Sequence, residues 1–175
     1  MKVFITGGSG FIGSHLADKL LARGDEVLVI DNFATGRRDN LKPHANLEII
    51  EDTICNENLM NDLMQEFKPD MVVHAAASYK DPHNWVEDSL TNVMGTAIVC
   101  QAMQKAGIKR IIYFQTALCY GLKPIEQPVT LNHPILPRGS SYAISKTAAE
   151  DYVQLSGLDY VTFRLANAYG PRNIS

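Results

Sequence analysis

Tyr142 and Lys146 stand four residues apart in the stretch Ser140-Ser141-Tyr142-Ala143-Ile144-Ser145-Lys146. On a helix that spacing places both side chains on one face, one turn from each other. An ammonium held there favours phenolate over phenol and lowers a tyrosine pKa that starts near ~10. The pair then has the makings of a general base able to take a proton from an alcohol near neutral pH. Tyrosine and lysine meet at this spacing by chance in many helices, so the pair gains meaning only from the rest of the chain.

The first supporting element lies at the amino end. Lys2-Val3-Phe4-Ile5-Thr6 is a short β-branched and apolar run that reads as a buried strand. Gly7-Gly8-Ser9-Gly10-Phe11-Ile12-Gly13 follows, and Phe11, Ile12, Leu16, Leu20 and Leu21 then recur at helical spacing. The glycines therefore sit at a strand-to-helix turn. Gly7 permits the tight turn, Gly10 leaves room for a pyrophosphate, and Gly13 lets the helix pack closely on the sheet. Free N–H groups around Phe11 and Ile12, with the positive end of the helix, face the phosphates. The spacing Gly-x-x-Gly-x-x-Gly is one residue longer in its first gap than the usual dinucleotide fingerprint. A second strand at 26–30 ends in Asp31-Asn32. An acidic residue about 20 positions beyond the glycines accepts hydrogen bonds from ribose hydroxyls, and its charge repels a 2′-phosphate. The cofactor expected is NAD rather than NADP, with Arg37 and Arg38 as solvated loop charges.

The same signals continue along the chain. Strands are expected near 2–6, 26–30, 47–50, 71–74, 109–114 and 159–163, and helices near 12–23, 57–67, 84–106 and 141–155. Gly24, Gly107 and Gly157 each fall just past a helix, where a left-handed cap suits them. This alternation predicts an α/β fold: a doubly wound, Rossmann-type parallel sheet of about six strands with helices on both faces. Its ligand lies across the carboxyl ends of the strands. Residues 122–139, with Pro124, Pro128, Pro134 and Pro137, read as a long loop beside that edge.

Composition sets limits. A chain of 175 residues, 46% hydrophobic and 20% charged, is most simply one globular domain spanning 1–175. A net charge of −3, with lysine and arginine scattered, gives no nucleic-acid footprint. No apolar run approaches the ~18 residues a membrane span needs, and the first residues enter a strand directly, which argues against a signal peptide. Cys55, Cys100 and Cys119 have neither disulfide nor metal-ligand spacing, so no metal is expected and a reducing cytoplasm fits.

Taken together, these motifs resemble the extended short-chain dehydrogenases/reductases, and within them the NAD-dependent nucleotide-sugar epimerases and dehydratases. UDP-sugar 4-epimerases are the most similar. The resemblance rests on the glycine turn, 31–41, Asp52 after the third strand, His74-Ala75-Ala76-Ala77 and Asn92-Val93-Met94-Gly95-Thr96. It extends through Thr116-Ala117-Leu118-Cys119-Tyr120-Gly121, the Tyr142/Lys146 pair and Arg164-Leu165-Ala166-Asn167-Ala168-Tyr169-Gly170-Pro171. It implies that Thr116 hydrogen-bonds the reacting sugar hydroxyl and that Tyr142 takes its proton. Lys146 lowers the Tyr142 pKa and donates to the nicotinamide ribose. It further implies that Asp52, with Thr53 beside it, receives the adenine amino group and that Ala75, Ala76 and Ala77 form small surface beside the cofactor. Asn92 steadies the active-site backbone as part of the cofactor site, and Asn167 contacts the sugar-nucleotide phosphates. Lys80 is a candidate for substrate or nicotinamide, equally readable as a solvated lysine. His74 reads as a strand-end histidine with a satisfied ring.

The resemblance implies UDP-sugar C4 epimerisation through a transient 4-keto sugar, with NAD ending as it began. Dehydratases carry Asp-Glu after the threonine, where this chain has Ala117-Leu118. A UDP-glucuronate-type decarboxylase needs similar equipment and stays open. An NADPH-dependent reductase is opposed by Asp31, and a non-catalytic NAD-binding regulatory subunit by the intact Thr116, Tyr142 and Lys146. Relatives dimerise through the helices corresponding to 84–106 and 141–155, so a homodimer is expected. They also continue into a smaller carboxyl-terminal substrate region that these 175 residues do not contain. The chain is therefore expected to bind NAD well, bind sugar nucleotide poorly and turn over little.

Overall fold

The computed structural model describes residues 1–173. Strands β1 (Lys2–Thr6), β2 (Glu26–Asp31), β3 (Leu47–Glu51), β4 (Met71–His74), β5 (Arg110–Thr116) and β6 (Asp159–Leu165) form one sheet in the order β3-β2-β1-β4-β5-β6. Every neighbouring pair is parallel. The helices are α1 (Phe11–Ala22), α2 (Glu57–Phe67), α3 (Trp85–Asp88), α4 (Gly95–Lys105) and α5 (Ser141–Leu155). Strand order reverses between β1 and β4, so the connections leaving their carboxyl ends diverge and open a crevice there. The doubly wound Rossmann-type arrangement is the one expected.

Alternation along the strands builds two cores. Val3, Ile5, Val27, Val29 and Val73 pack with Ala17, Leu20 and Leu21 of α1 on one face. Phe4, Leu28, Val72, Ile111 and Tyr113 pack with Met60 and Met64 of α2, Val99 and Met103 of α4, and Ala149 and Val153 of α5 on the other. With both faces in use, strands such as Val27-Leu28-Val29-Ile30 are apolar throughout. The glycines after α1, α4 and α5 take the positive φ expected of them, +89° at Gly24, +73° at Gly107 and +68° at Gly157.

Two boundaries differ in ways that matter for the site. β5 and β6 run on to Thr116 and Leu165, because the ladder continues through Gln115↔Arg164 and Thr116↔Leu165. Thr116 is thus held by the sheet itself. The helix expected over 84–106 is interrupted: a wide π turn over Ser89–Met94 joins α3 to α4. Such turns are common at functional positions, and this one contains Asn92, 1% exposed and directed inward.

Candidate active site

The glycine turn is built by close approaches. Gly7 adopts φ +66°, and a Cβ there would sit 2.7 Å from the Ala76 backbone, so Ala76 packs against the turn itself. A Cβ on Gly13 would lie 2.4 Å from the Gly7 carbonyl, whereas one on Gly8 would meet the Val29 side chain at 2.6 Å. Contact with the sheet therefore belongs to Gly8, and Gly13 closes the turn on the helix; this corrects the role expected of Gly13. At Gly10 only the Gly7 carbonyl, at 3.2 Å, would be near. The first intrahelical bond is Ser14 N–H to Gly10 O at 3.0 Å, and no side chain caps α1. Helix geometry therefore leaves the N–H groups of Phe11, Ile12 and Gly13 without intrahelical acceptors.

Asp31 ends β2 and staples the turn. Its carboxylate accepts the Ser9 N–H at 2.9 Å and the Phe33 N–H at 2.9 Å. Burial raises its pKa, and those N–H bonds pull against the rise. Asn40, which sequence reasoning missed, donates from Nδ2 to Ser9 O at 2.8 Å. Asn32 is exposed and accepts the Ala34 N–H at 3.1 Å. Asp52 accepts from Thr53 N–H at 2.7 Å and from Asn56 Nδ2 at 3.3 Å. Arg37 and Arg38 are exposed and pair with Asp39 and Glu51, in keeping with solvated loop charges.

Across the crevice stand Thr116, Tyr142 and Lys146. Ser140 caps α5 by accepting the Ala143 N–H at 3.2 Å, which sets Tyr142 in the first turn. Thr116 Oγ1 accepts the Leu118 N–H at 3.2 Å, and its hydroxyl lies near enough to the Tyr142 phenol to pull that group's pKa down. Lys146 is 1% exposed, with Nζ 4.1 Å from the centre of the Tyr113 ring. Burial pushes it down to about 7, against the upward pull of Glu150. Tyr142 is pushed up to about 12, by burial first and then by Tyr79 and Asp88, with the Thr116 hydroxyl pulling the other way. The expectation that Lys146 lowers the phenol pKa is thus corrected for this chain. Desolvation dominates both groups, and the ammonium faces an aromatic ring.

The surrounding polar groups form two networks. Gln115 Nε2 donates to Lys146 O at 3.0 Å and to Glu150 at 2.9 Å, while its Oε1 accepts the Thr116 N–H at 2.8 Å. Tyr113 also donates to Lys146 O, at 2.9 Å. On the other side, Asn92 Oδ1 accepts the Ser78 N–H at 2.8 Å. Its Nδ2 donates to Ser78 O and to Ser145 Oγ, each at 2.9 Å. Those bonds use both amide protons, so Asn92 positions the loop after β4 against α5 and has no donor left for cofactor. Ser78 Oγ donates to Asp88 at 3.0 Å. His74 has both nitrogens engaged, Nδ1 with Thr6 Oγ1 at 2.6 Å and Nε2 with Thr96 Oγ1 at 2.8 Å. Ala76 N–H donates to Thr6 Oγ1 and Thr96 Oγ1 donates to Asn92 O. The donors are all used once only if His74 is neutral with its proton on Nε2. Burial, then Lys146, pushes its pKa down to about 3.

The structure therefore gathers the glycine turn, Asp31, Ala75–Ala77, Thr116, Tyr142 and Lys146 along the carboxyl edge of the sheet. Lys80 and Asn167 are exposed on the flanking segments. A model of the NAD dependent epimerase/dehydratase family matches residues 3–175. The chain belongs to that family. It is 61% identical to the Bordetella bronchiseptica enzyme WbmH, solved in complex with NAD+, at a TM-score of 0.96 over 99% of this chain and 58% of that one. A UDP-glucose 4-epimerase from Mycolicibacterium smegmatis is 35% identical over 98% of this chain and 58% of its own length. UDP-glucuronic acid decarboxylase 1 from Arabidopsis thaliana is 36% identical over 98% of this chain and 41% of its own length. The chain thus spans roughly half the length of these relatives.

NAD is the cofactor of this family, and the epimerase/dehydratase-family residues present here fit it. Ser9 Oγ is buried at the glycine turn without a hydrogen-bond partner. The α1 start offers N–H groups with no acidic residue in its first turn. The Asp31 carboxylate retains acceptor capacity beyond its two backbone bonds.

Proposed function

We propose that this chain is the cofactor-binding and catalytic part of an NAD-dependent nucleotide-sugar epimerase that inverts C4 of a UDP-sugar through a transient 4-keto sugar. The observation that carries this reading is the placement of Thr116 at the end of β5 beside Tyr142 in the first turn of α5, with Lys146 buried one turn along that helix. NAD supplies the hydride acceptor and donor, and in its oxidised form a positive ring charge that favours phenolate. Phe11, Ile12 and Gly13 N–H would hold its pyrophosphate, Asp31 the adenosine ribose, Asp52 and Thr53 the adenine edge, and Lys146 the nicotinamide ribose. Thr116 Oγ1 orients the sugar hydroxyl, and Tyr142 Oη removes and later returns its proton. The turn Ala117–Tyr120 after Thr116 holds no carboxylate, so water elimination lacks its acid and base.

A second reading, decarboxylation of a UDP-uronate, is supported by the similarity to the Arabidopsis enzyme, since it uses the same oxidation. Assay of the full-length protein with UDP-glucose and UDP-glucuronate separates the two by product. A third, a non-turning NAD-binding subunit, is opposed by the intact Thr116–Tyr142–Lys146 set. Titration calorimetry of the 175-residue chain should show NAD binding and weak or undetectable UDP-sugar binding; strong UDP-sugar binding would overturn the assignment of substrate contacts to a further region. Asn167 and Lys80 remain our candidates for such contacts within this chain.

A homodimer is supported by exposed apolar residues at helical spacing, Val86, Leu90 and Met94 on α3 and the π turn and Ile144 and Leu155 on α5. A cytoplasmic location is supported by three free cysteines, two of them buried. Among the described residues no helix is long and apolar enough to cross a membrane.

A further inference from the structure

A helical side chain leans over the turn that precedes its own Cα. Tyr142 is the second residue of α5, so no helical turn lies there to support its ring. The support comes from the loop after β4. The Tyr79 ring packs edge-on against the Tyr142 ring, with centroids 6.3 Å apart and planes at 62°, a geometry in which aromatic pairs attract.

One residue holds both members of this pair by their backbones. Asn92 accepts the Ser78 N–H and donates to Ser78 O, which fixes the residue just before Tyr79. The same Asn92 amide donates to Ser145 Oγ, and that hydroxyl donates to Tyr142 O at 2.9 Å. Ser78 is held a third time through its side chain, by Asp88 Oδ1 at 3.0 Å. Asp88 is 1% exposed and its other oxygen has no partner, which makes it a costly tether. Beyond Tyr79 the chain is fixed again: Asp81 accepts the His83 N–H at 2.9 Å, and the Asn84 N–H donates to Asp81 O at 3.1 Å. Tyr79 is 48% exposed, yet the segment that carries it is pinned on either side.

We propose that Tyr79 is a positioning residue, an aromatic buttress that keeps the Tyr142 ring turned toward Thr116 and so holds its hydroxyl where a sugar carbinol would lie. This deepens the proposed function and rests on it for the use made of Tyr142. The buttress needs the ring of Tyr79 and not its hydroxyl, so phenylalanine can replace it and leucine cannot.

The test compares wild type, Tyr79→Leu and Tyr79→Phe. In the isotope-labelled 175-residue chain, the nuclear Overhauser contact between the Tyr142 ring and the Thr116 side chain should weaken at least about twofold in Tyr79→Leu and recover in Tyr79→Phe. In the full-length protein with NAD and UDP-glucose, Tyr79→Leu should lose about tenfold in kcat with KM held within about twofold, and Tyr79→Phe should recover most of that loss. A merely structural residue would shift the urea midpoint and leave kcat per folded molecule unmoved, and a substrate contact would raise KM instead. Either result overturns the proposal, as does an undiminished Tyr142–Thr116 contact in Tyr79→Leu. Should the wild-type protein not turn over UDP-glucose, that failure belongs to the substrate reading, and the Overhauser contact decides this proposal by itself.

Discussion

Replacing Lys146 by methionine should make the chain more stable at neutral pH, even as it removes a proposed catalytic group. Lys146 is pushed from 10.5 to about 7 on folding, chiefly by burial at 1% exposure. A difference of that size between folded and unfolded states is worth about 4–5 kcal/mol. The sign follows from proton counting. Below pH 7 both states hold the proton, and the folded state carries the full penalty of a buried ammonium. Between about 7 and 10.5 the unfolded chain binds more protons, so stability rises with pH by up to about 1.4 kcal/mol per pH unit. Above 10.5 both states are neutral and the penalty is gone. Methionine fills a similar volume and has no proton to lose. Lys146→Met should therefore exceed wild type by about 3–4 kcal/mol at pH 6.5, with the gap closing steadily towards pH 9.5. Urea unfolding at pH 6.5, 8 and 9.5 measures it as the difference between the two proteins, which cancels the other groups titrating in that range. A variant less stable than wild type at pH 6.5, or a gap that does not change with pH, would refute the reasoning.

Other outcomes follow from the same geometry. Thr116→Ala loses the hydroxyl beside Tyr142 and the cap on Leu118 N–H, and should cost about 1 kcal/mol in urea unfolding and about 10–100-fold in kcat; Thr116→Ser should restore most of both. Gly13→Ala drives a methyl against the Gly7 carbonyl, and calorimetry should show NAD affinity reduced at least about tenfold. His74, held at about 3 when folded against 6.5 when free, contributes stability that is complete above pH 6.5. That contribution is lost as pH falls towards 3, at up to about 1.4 kcal/mol per unit. Urea midpoints between pH 7 and 4 should decline more steeply in wild type than in His74→Gln.

The doubly wound sheet was legible because its signals are local. Short apolar strands, glycines past helix ends and the glycine turn at β1 each announce themselves within a dozen residues. The Tyr142–Lys146 spacing was legible for the same reason, whereas Thr116 entered only through the family resemblance. What escaped was whatever depends on a partner from a distant strand. That Lys146 lies beneath Tyr113, and is held down to about 7, requires β5 to pass under α5. Gln115 carries no local signal in the sequence, yet it joins Thr116, Lys146 and Glu150. Glu150 carried one signal, its helical spacing from Lys146, which acquires meaning only once that face is known to be buried. The division of labour between Gly8 and Gly13, and the π turn around Asn92, are set by contacts with Val29, Gly7, Ser78 and Ser145. No periodicity in the chain records those contacts.

The central claim is that Thr116, Tyr142 and Lys146 serve a reversible oxidation at a sugar carbinol, with NAD restored at each turnover. The measurement that bears on it most directly follows a UDP-hexose deuterated at C4 through the full-length protein, with NAD present and no added reductant. The account predicts a C4 epimer that retains its deuterium at C4, takes up none from solvent water, and fails to form with Tyr142→Phe. Epimer formed with the label washed into solvent, or formed at the wild-type rate by Tyr142→Phe, would contradict it.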